Sequence, residues 1–360
     1  MTVAVTGGGT GGHIYPALSV ARALPAQARE VSVVYIGAEN GMEAHLASEW
    51  GIPFVGVPAR KIRRLASLDT LVTLAVLYRG YRRARAALRR DRPAALLGTG
   101  GYVAAAATIA AHHERIPVVI HEQNAVAGRT NRWLAARAQR ICLSFECSQA
   151  AFPADRTVVT GLPTRSDIVS SASREDARRR LSVPTDAFTL LVLGGSQGAA
   201  AVNRVVWDAL PSLPEHVSVL HQTGPRSSPE PVPSRHGYVS RSYFDAETLP
   251  IAFRAADLVL SRCGASTLAE TAMNGLPALL VPYPAAYADH QTANARAVSD
   301  AGAGILIPQA TLTASALTRQ VQELMGDPER LARMSAASAS LARPDAAARV
   351  ARVVLECAGA

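Results

Sequence analysis

Residues 188–206, FTLLVLGGSQGAAAVNRVV, repeat the plan of residues 3–24, VAVTGGGTGGHIYPALSVARAL. In each, a short apolar run suited to a buried strand enters a set of glycines, and a helical spacing of apolar residues follows. A strand, a glycine turn and a helix make an anion site. Backbone N–H groups left unpaired at the helix N-terminus face whatever binds there, and glycine lets it approach the main chain. A chain of 360 residues suits two such domains better than one core.

The alternation extends outward from both stretches. Before the midpoint, strands are expected near Val3 and over Val31–Ile36, Ala94–Leu97, Val118–Ile120, Ile141–Leu143 and Val158–Thr160. After it they are expected over Val217–Gln222, Leu258–Leu260, Ala278–Val281 and Gly304–Ile307, with helical patterns between. The chain breaks at TGLPTRSD, residues 160–167, and the polar SSASREDARRR then opens a new helix. These signals predict an α/β chain of two Rossmann-like, doubly wound domains, 1–162 and 163–344, with a cleft between their strand carboxyl ends. The last helix, in 345–360 after Pro344, is expected to cross back onto the first domain.

Composition narrows the partners. Hydrophobic residues make up 49% of the chain, and no signal peptide is expected ahead of the first strand. No apolar run reaches the roughly 18 residues that span a bilayer. Cys142, Cys147, Cys263 and Cys357 have no metal-ligand spacing and form no disulfide framework, which suits a reducing cytoplasm. There is no Asp-x-Asp, and His112, His113, His216, His221 and His236 are scattered, so no metal is expected. Lys61 is the only lysine, and neither a Walker motif nor a G-x-S-x-G elbow is present.

The net charge of +9 is concentrated. Residues 1–162 carry 19 Lys and Arg against 10 Asp and Glu, while 163–360 carry 18 of each. Arg60 to Arg92 alone hold 11 basic residues against Asp69 and Asp91. Here Ser67 can cap a helix whose first turns, Leu71 to Tyr78, are apolar on every side except Thr73. Leu71, Leu74, Leu77 and Tyr78, rimmed by Arg79, Arg82 and Arg83, suit a surface resting on anionic lipid. The alternative is an ordinary solvated helix with a wide core face. No nucleic-acid recognition motif accompanies the patch.

The first glycine loop admits two readings. Gly7, Gly9 and Gly12 satisfy G-x-G-x-x-G, and Glu39 stands where a dinucleotide clamp places its acidic residue, about 20 positions on. His13 is not needed by such a clamp, and either caps the helix or does chemistry. In the second half, LGGSQGA offers a helix N-terminus with Ser196 and Gln197 as donors suited to a diphosphate. SRCGASTLAET, residues 261–271, offers another, with Glu270 one turn in to take two sugar hydroxyls. YADHQTANA, residues 287–295, adds His290, Gln291 and Asn294. Together they imply a nucleotide sugar.

GGTGGHIYPALS, TGGYVA, HEQNAVAGRTNRWLA, LGGSQGA and SRCGASTLAE, in this order along essentially the whole chain, resemble the MurG family of bacterial peptidoglycan glycosyltransferases. The resemblance implies a GT-B fold and transfer of N-acetylglucosamine from UDP-N-acetylglucosamine to undecaprenyl-pyrophosphoryl-MurNAc-pentapeptide, lipid I, giving lipid II. It implies no cofactor, no nucleic acid, and a peripheral position on the cytoplasmic face of the cell membrane. It places Ser196 at the donor phosphates and Ala265, Ser266, Thr267, Leu268, Ala269 and Glu270 around the ribose and diphosphate. It also places Gln291 on the sugar and a main-chain contact to uracil near Phe244. Thr10, Gly11, Gly12 and Asn124 would line the opposing wall, and Arg165 would reach in from the linker. Leu162 stands where the family pattern has asparagine.

Transfer needs a base for the acceptor hydroxyl and groups that stabilise departing UDP. Helix N-termini at Ser196 and Ala265, with Arg165 or Arg262, are the expected stabilisers. His13 is the expected base, since an unperturbed imidazole titrates at about 6.5, and Glu122 is its rival. Direct displacement would invert the anomeric centre. The competing readings are a related glycosyltransferase with another acceptor, a nicotinamide-dependent oxidoreductase and a non-catalytic nucleotide-sugar sensor.

Overall fold

The computed structural model describes residues 1–28, 30–60, 68–225 and 234–359, with the side chains of residues 68–71 outside the description. Ser67 and Lys61 therefore lie outside the described residues. The chain opens with β1 (Thr2–Thr6), α1 (Gly11–Gln27), β2 (Ser32–Ala38), α2 (Met42–Glu49) and β3 (Phe54–Val57). It continues with α3 (Leu68–Asp91), β4 (Ala95–Gly98), α4 (Gly101–His113), β5 (Val118–Glu122), α5 (Arg129–Leu134), β6 (Arg140–Leu143) and β7 (Thr157–Val159). Next come α6 (Arg174–Arg180), β8 (Phe188–Leu193), α7 (Ala200–Ala209), β9 (Val217–Gln222), β10 (Tyr238–Arg241) and α8 (Thr248–Ala255). The remainder is β11 (Leu258–Ser261), α9 (Ala265–Met273), β12 (Ala278–Leu280), α10 (His290–Asp300), β13 (Gly304–Leu306), α11 (Ala314–Met325), α12 (Pro328–Leu341) and α13 (Ala346–Ala358).

These elements form two compact units, Met1–Arg165 with Arg343–Ala360, and Ser166–Ala342. The first holds a seven-stranded parallel sheet in the order β3-β2-β1-β4-β5-β6-β7. Alternation along β1 sends Val3 and Val5 to one face, with Ile14 and Leu18 of α1 and Val350 and Val354 of α13. Ala4 goes to the other face, with Ala84 and Leu88 of α3 and Val103 and Ala107 of α4. A sheet covered on both faces needs apolar residues at every position, which is why its central strands read as continuous apolar runs.

The second unit repeats the scheme with six parallel strands, β10-β9-β8-β11-β12-β13. Leu191 and Leu193 pack with Phe253, Leu268 and Ala295, and Leu190 and Val192 pack with Val202, Val206, Leu317 and Leu324. In both sheets the strand order reverses at the first strand of the unit, beside β1 and beside β8. A crevice opens at such a switch point beyond the carboxyl ends of the two central strands. The strands at one rim of each sheet, β3 and β10, lie outside the sequence expectation. Both are four-residue edge strands with short apolar runs, Gly56 interrupting FVGV and Ser240 and Arg241 ending YVSR.

Candidate active site

In the first unit, the loops after β1 and β4 pack closely, through the Thr99 side chain and the Gly8 and Gly101 main chain. A Cβ on Gly7 would stand 2.0 Å from Thr99 Oγ1, and one on Gly101 would stand 2.2 Å from the Gly8 carbonyl oxygen. Thr99 Oγ–H donates to the carbonyls of His13 at 2.7 Å and Thr6 at 3.2 Å, which ties the start of α1 to the end of β4. His13, half-buried, points its Nδ1 at the Thr99 carbonyl oxygen, 3.0 Å away, and at Gln123 Oε1, 3.2 Å away. Both are acceptors, so Nδ1 carries the proton and the basic lone pair of the neutral ring is on Nε2. Thr10 caps α1 through its backbone alone, its carbonyl accepting from the N–H of His13 and Ile14. Thr10 and Gly12 are exposed, and a Cβ on Gly12 would meet nothing nearer than 3.9 Å.

The Glu122 carboxylate, expected as the rival to His13, is already engaged by its own loop. It is 1% exposed and both its oxygens are committed, Oε1 to the backbone and side-chain N–H of Asn124 and Oε2 to Gly128 N and Asn131 Nδ2. Its carboxylate folds the segment between β5 and α5, and in doing so draws Asn124 Nδ2 inward. The dinucleotide clamp fails on geometry. Glu39 pairs with Arg83 at 2.9 Å, and Glu43 instead fills the space above Gly8, where a Cβ would stand 2.4 Å from its Oε1.

In the second unit the loops after β8 and β11 lie side by side, joined by Arg262 N–H donating to the Leu193 carbonyl at 3.1 Å. Ser196 and Gln197 are exposed at the turn into α7. Helices α6, α11 and α12 begin at side-chain caps from Ser173, Thr313 and Asp327. Like α1, α2, α4, α5, α8, α10 and α13, α7 and α9 begin with no side-chain cap, at Ala199 and Gly264, and their first-turn N–H groups lie beside the glycine loops. Gly264 is informative because neither conformation nor packing requires glycine there. Its φ is −67°, and a Cβ would meet nothing within 4 Å. A glycine of that kind keeps the approach to the helix N-terminus open. Ser266, Thr267, Ala269 and Glu270 are partly exposed on α9, whereas the side chains of Ala265 and Leu268 are in the core and can offer only main chain.

Several residues expected to touch ligand also build the loops. Arg262 is buried, donates to the carbonyls of Val281 and Pro282 and to Gln309 Oε1, and stacks on Tyr283. This guanidinium cross-braces the loops after β11 and β12, with Nη1 and Nη2 both donating to protein acceptors. Asn294 is fully buried and donates to the Cys263 carbonyl at 3.1 Å, and His290 Nδ1 donates to the Tyr287 carbonyl at 2.8 Å. Gln291 Oε1 accepts from Cys263 N at 3.1 Å and Tyr283 N at 2.9 Å, so its amide NH2 is the group it can present to a sugar. The Phe244 ring is core, and its N–H donates to Gln222 Oε1 at 3.0 Å, so a base contact there falls to main-chain groups other than that N–H. Burial pushes the Cys263 thiol up to about 12, against the pull of Arg262, so it carries no thiolate chemistry.

Sequence reading missed the second layer. Trp207 Nε1–H donates to Tyr238 Oη at 2.9 Å, Tyr238 meets His221 Nδ1 at 3.1 Å, and His221 Nε2 meets Asn203 Oδ1 at 3.1 Å. Asn203 Nδ2 then donates to the Thr223 carbonyl at 2.7 Å, against which Gly198 of the loop between β8 and α7 packs. Among the described residues, no group of three or more His, Cys, Asp or Glu side chains comes together to hold a metal ion.

The N-terminal domain of glycosyltransferase family 28 matches residues 3–143, and its C-terminal domain matches residues 189–350. A Desulforudis audaxviator protein, 39% identical over 100% of this chain and 99% of its own, is a UDP-N-acetylglucosamine–N-acetylmuramyl-(pentapeptide) pyrophosphoryl-undecaprenol N-acetylglucosamine transferase. The chain belongs to the MurG family of glycosyltransferases. An Alkalilimnicola ehrlichii transferase of the same name is 42% identical over 99% of both chains. The crystal structure of Acinetobacter baumannii MurG superposes with a TM-score of 0.77 at 32% identity, covering 99% of each chain. As a MurG-family chain it has the GT-B fold, and the oxidoreductase reading of the first loop is overturned.

On α3, the expectation of exposed apolar residues divides. Leu74 and Tyr78 are exposed, as is Val72, while Leu77 is half-buried and Thr73, the polar residue of the run, is the one that points inward. Arg79 and Arg82 are exposed, Arg83 is tied to Glu39, and the side chain of Leu71 lies outside the described ones. Leu162 is buried within the first unit. No helix among the described residues is long and apolar enough to cross a membrane.

Proposed function

We propose that this chain transfers N-acetylglucosamine from UDP-N-acetylglucosamine to undecaprenyl-pyrophosphoryl-MurNAc-pentapeptide, forming lipid II. The observation that carries the reading is end-to-end relationship, 39% identity over 100% of the chain, to a transferase of that name. The local chemistry supports it. The open N-termini of α7 and α9 suit a diphosphate, Gln291 offers its NH2 to the sugar, and the partly exposed Glu270 can accept from ribose hydroxyls.

The acceptor hydroxyl oxygen attacks the anomeric carbon, the bond from that carbon to the β-phosphate oxygen breaks, and its electron pair leaves with UDP. The hydroxyl proton passes to His13 Nε2. The displacement inverts the anomeric centre. Dipoles at α7 and α9 stabilise the departing diphosphate. Val72, Leu74 and Tyr78, with Arg79 and Arg82, hold the protein peripherally on the anionic cytoplasmic face of the membrane, where a lipid-linked acceptor resides.

Incubation with UDP-N-acetylglucosamine and a short-chain lipid I analogue tests the reading. A product heavier by one N-acetylhexosamine, with UDP released in equal amount, is expected. UDP release without that product would overturn the acceptor assignment.

A further inference from the structure

Behind His13, a line of buried polar side chains crosses the first unit. Gln123, 2% exposed at the end of β5, presents Oε1 to His13 Nδ1 at 3.2 Å. Its Nε2 lies 2.6 Å from the Thr99 carbonyl oxygen and 3.2 Å from His121 Nδ1. His121, fully buried, directs Nε2 to the Gly161 carbonyl oxygen at 3.0 Å.

The protons on this line have one self-consistent placement. The Gly161 carbonyl can only accept, so His121 carries its proton on Nε2. A neutral ring then has its lone pair on Nδ1 and must receive a donor, which fixes the Gln123 amide with NH2 toward His121 and Thr99. Oε1 is thereby turned to His13, whose Nδ1 must carry a proton. Burial pushes His121 down to about 4, so it stays neutral and its Nδ1 stays an acceptor at neutral pH. Thr99 and His121 therefore hold one amide in a single orientation from two sides.

We propose that Gln123 is the positioning residue of the base. Locked by Thr99 and His121, it gives His13 a second fixed acceptor, so that the imidazolium formed when Nε2 takes the acceptor's proton is already solvated on Nδ1. This rests on the reading of His13 as base. The amide costs no reorganisation at the moment of transfer, because its dipole points the right way beforehand.

A double-mutant cycle on the full-length protein tests it, with turnover and donor KM measured for His13→Ala, Gln123→Met and the pair. Gln123→Met is expected to lower kcat at least about tenfold with donor KM within about twofold, and to have less than about a twofold effect in the His13→Ala background. Should the two losses multiply, Gln123 acts independently of His13 and the proposal fails while the base reading stands. Should His13→Ala alone turn over normally, the base reading fails and takes the proposal with it. A second measurement needs no variant. The 15N shifts of the wild-type His13 ring are expected to show the proton on Nδ1, and a ring protonated on Nε2 at neutral pH would overturn the assignment.

Discussion

His13 Nδ1 lies 3.0 Å from the carbonyl oxygen of Thr99, joining the first turn of α1 to the end of β4 across the switch point of the first sheet. Because the carbonyl accepts only, the contact places the proton on Nδ1 and the basic lone pair of the neutral ring on Nε2. His13→Ala is expected to lower kcat by about 10² or more with UDP affinity nearly unchanged, as measured by steady-state kinetics and UDP titration. Equal turnover would remove His13 from the mechanism.

Gln291 separates two roles by atom. Its Oε1 accepts from Cys263 N and Tyr283 N, so Gln291→Ala strands two backbone donors and is expected to cost about 1–3 kcal/mol of stability as well as donor affinity. Gln291→Glu keeps an acceptor at that place and removes the NH2, so unfolding should move little while donor KM rises. Equal destabilisation by both would refute the division.

Gly264 and Gly198 make an opposed pair. Gly264→Ala meets no neighbour and no φ penalty, so stability should change by less than about 0.5 kcal/mol while donor binding weakens. Gly198→Ala would place Cβ 2.1 Å from the Thr223 carbonyl oxygen at a φ of +76°, and should lower the melting temperature outright. Unchanged UDP binding in Gly264→Ala would count against α9 as the diphosphate site.

His121 and His221 are both pushed down to about 4, chiefly by burial. Above pH 6.5 neither folded nor unfolded chain protonates them, and their neutral forms carry no penalty. Between about 6.5 and 4 the unfolded chain binds protons the folded chain refuses, so each should cost about 1.4 kcal/mol per pH unit across that window. Urea midpoints at pH 7.5, 6 and 5 check this, and His221→Gln should flatten the slope.

Leu74 and Tyr78 stand in water at 51% and 59% exposure although the sequence around them is apolar. Replacing both with serine should abolish cosedimentation with anionic vesicles while leaving transfer to a short-chain acceptor intact. Binding by the wild type that ignores salt and anionic lipid content would argue against the electrostatic half of this contact.

The sheets were legible because parallel strands buried on both faces must be apolar throughout, and FTLLVL and VAVT permit little else. β3 and β10 were not, since each is a four-residue strand whose apolar run is cut short, by Gly56 in FVGV and by Ser240 and Arg241 in YVSR. The same reasoning separates the site residues. Glycine loops, His13 and the polar residues of the loops after β8 and β11 stand out as residue types a core does not ask for.

Sequence by itself determined two doubly wound sheets, the glycine turns at their switch points and a basic, apolar first-half helix, because local periodicity and glycine chemistry act within a few residues of chain. Only the tertiary structure decided which polar groups are spent on protein. Glu122, Arg262 and Asn294 look reactive in one dimension, yet each satisfies loop backbone or side chains distant in sequence, while Gln123 gains its role from Thr99 and His13. A hydrogen bond's partner is set by three-dimensional proximity, and buried polar groups must find one.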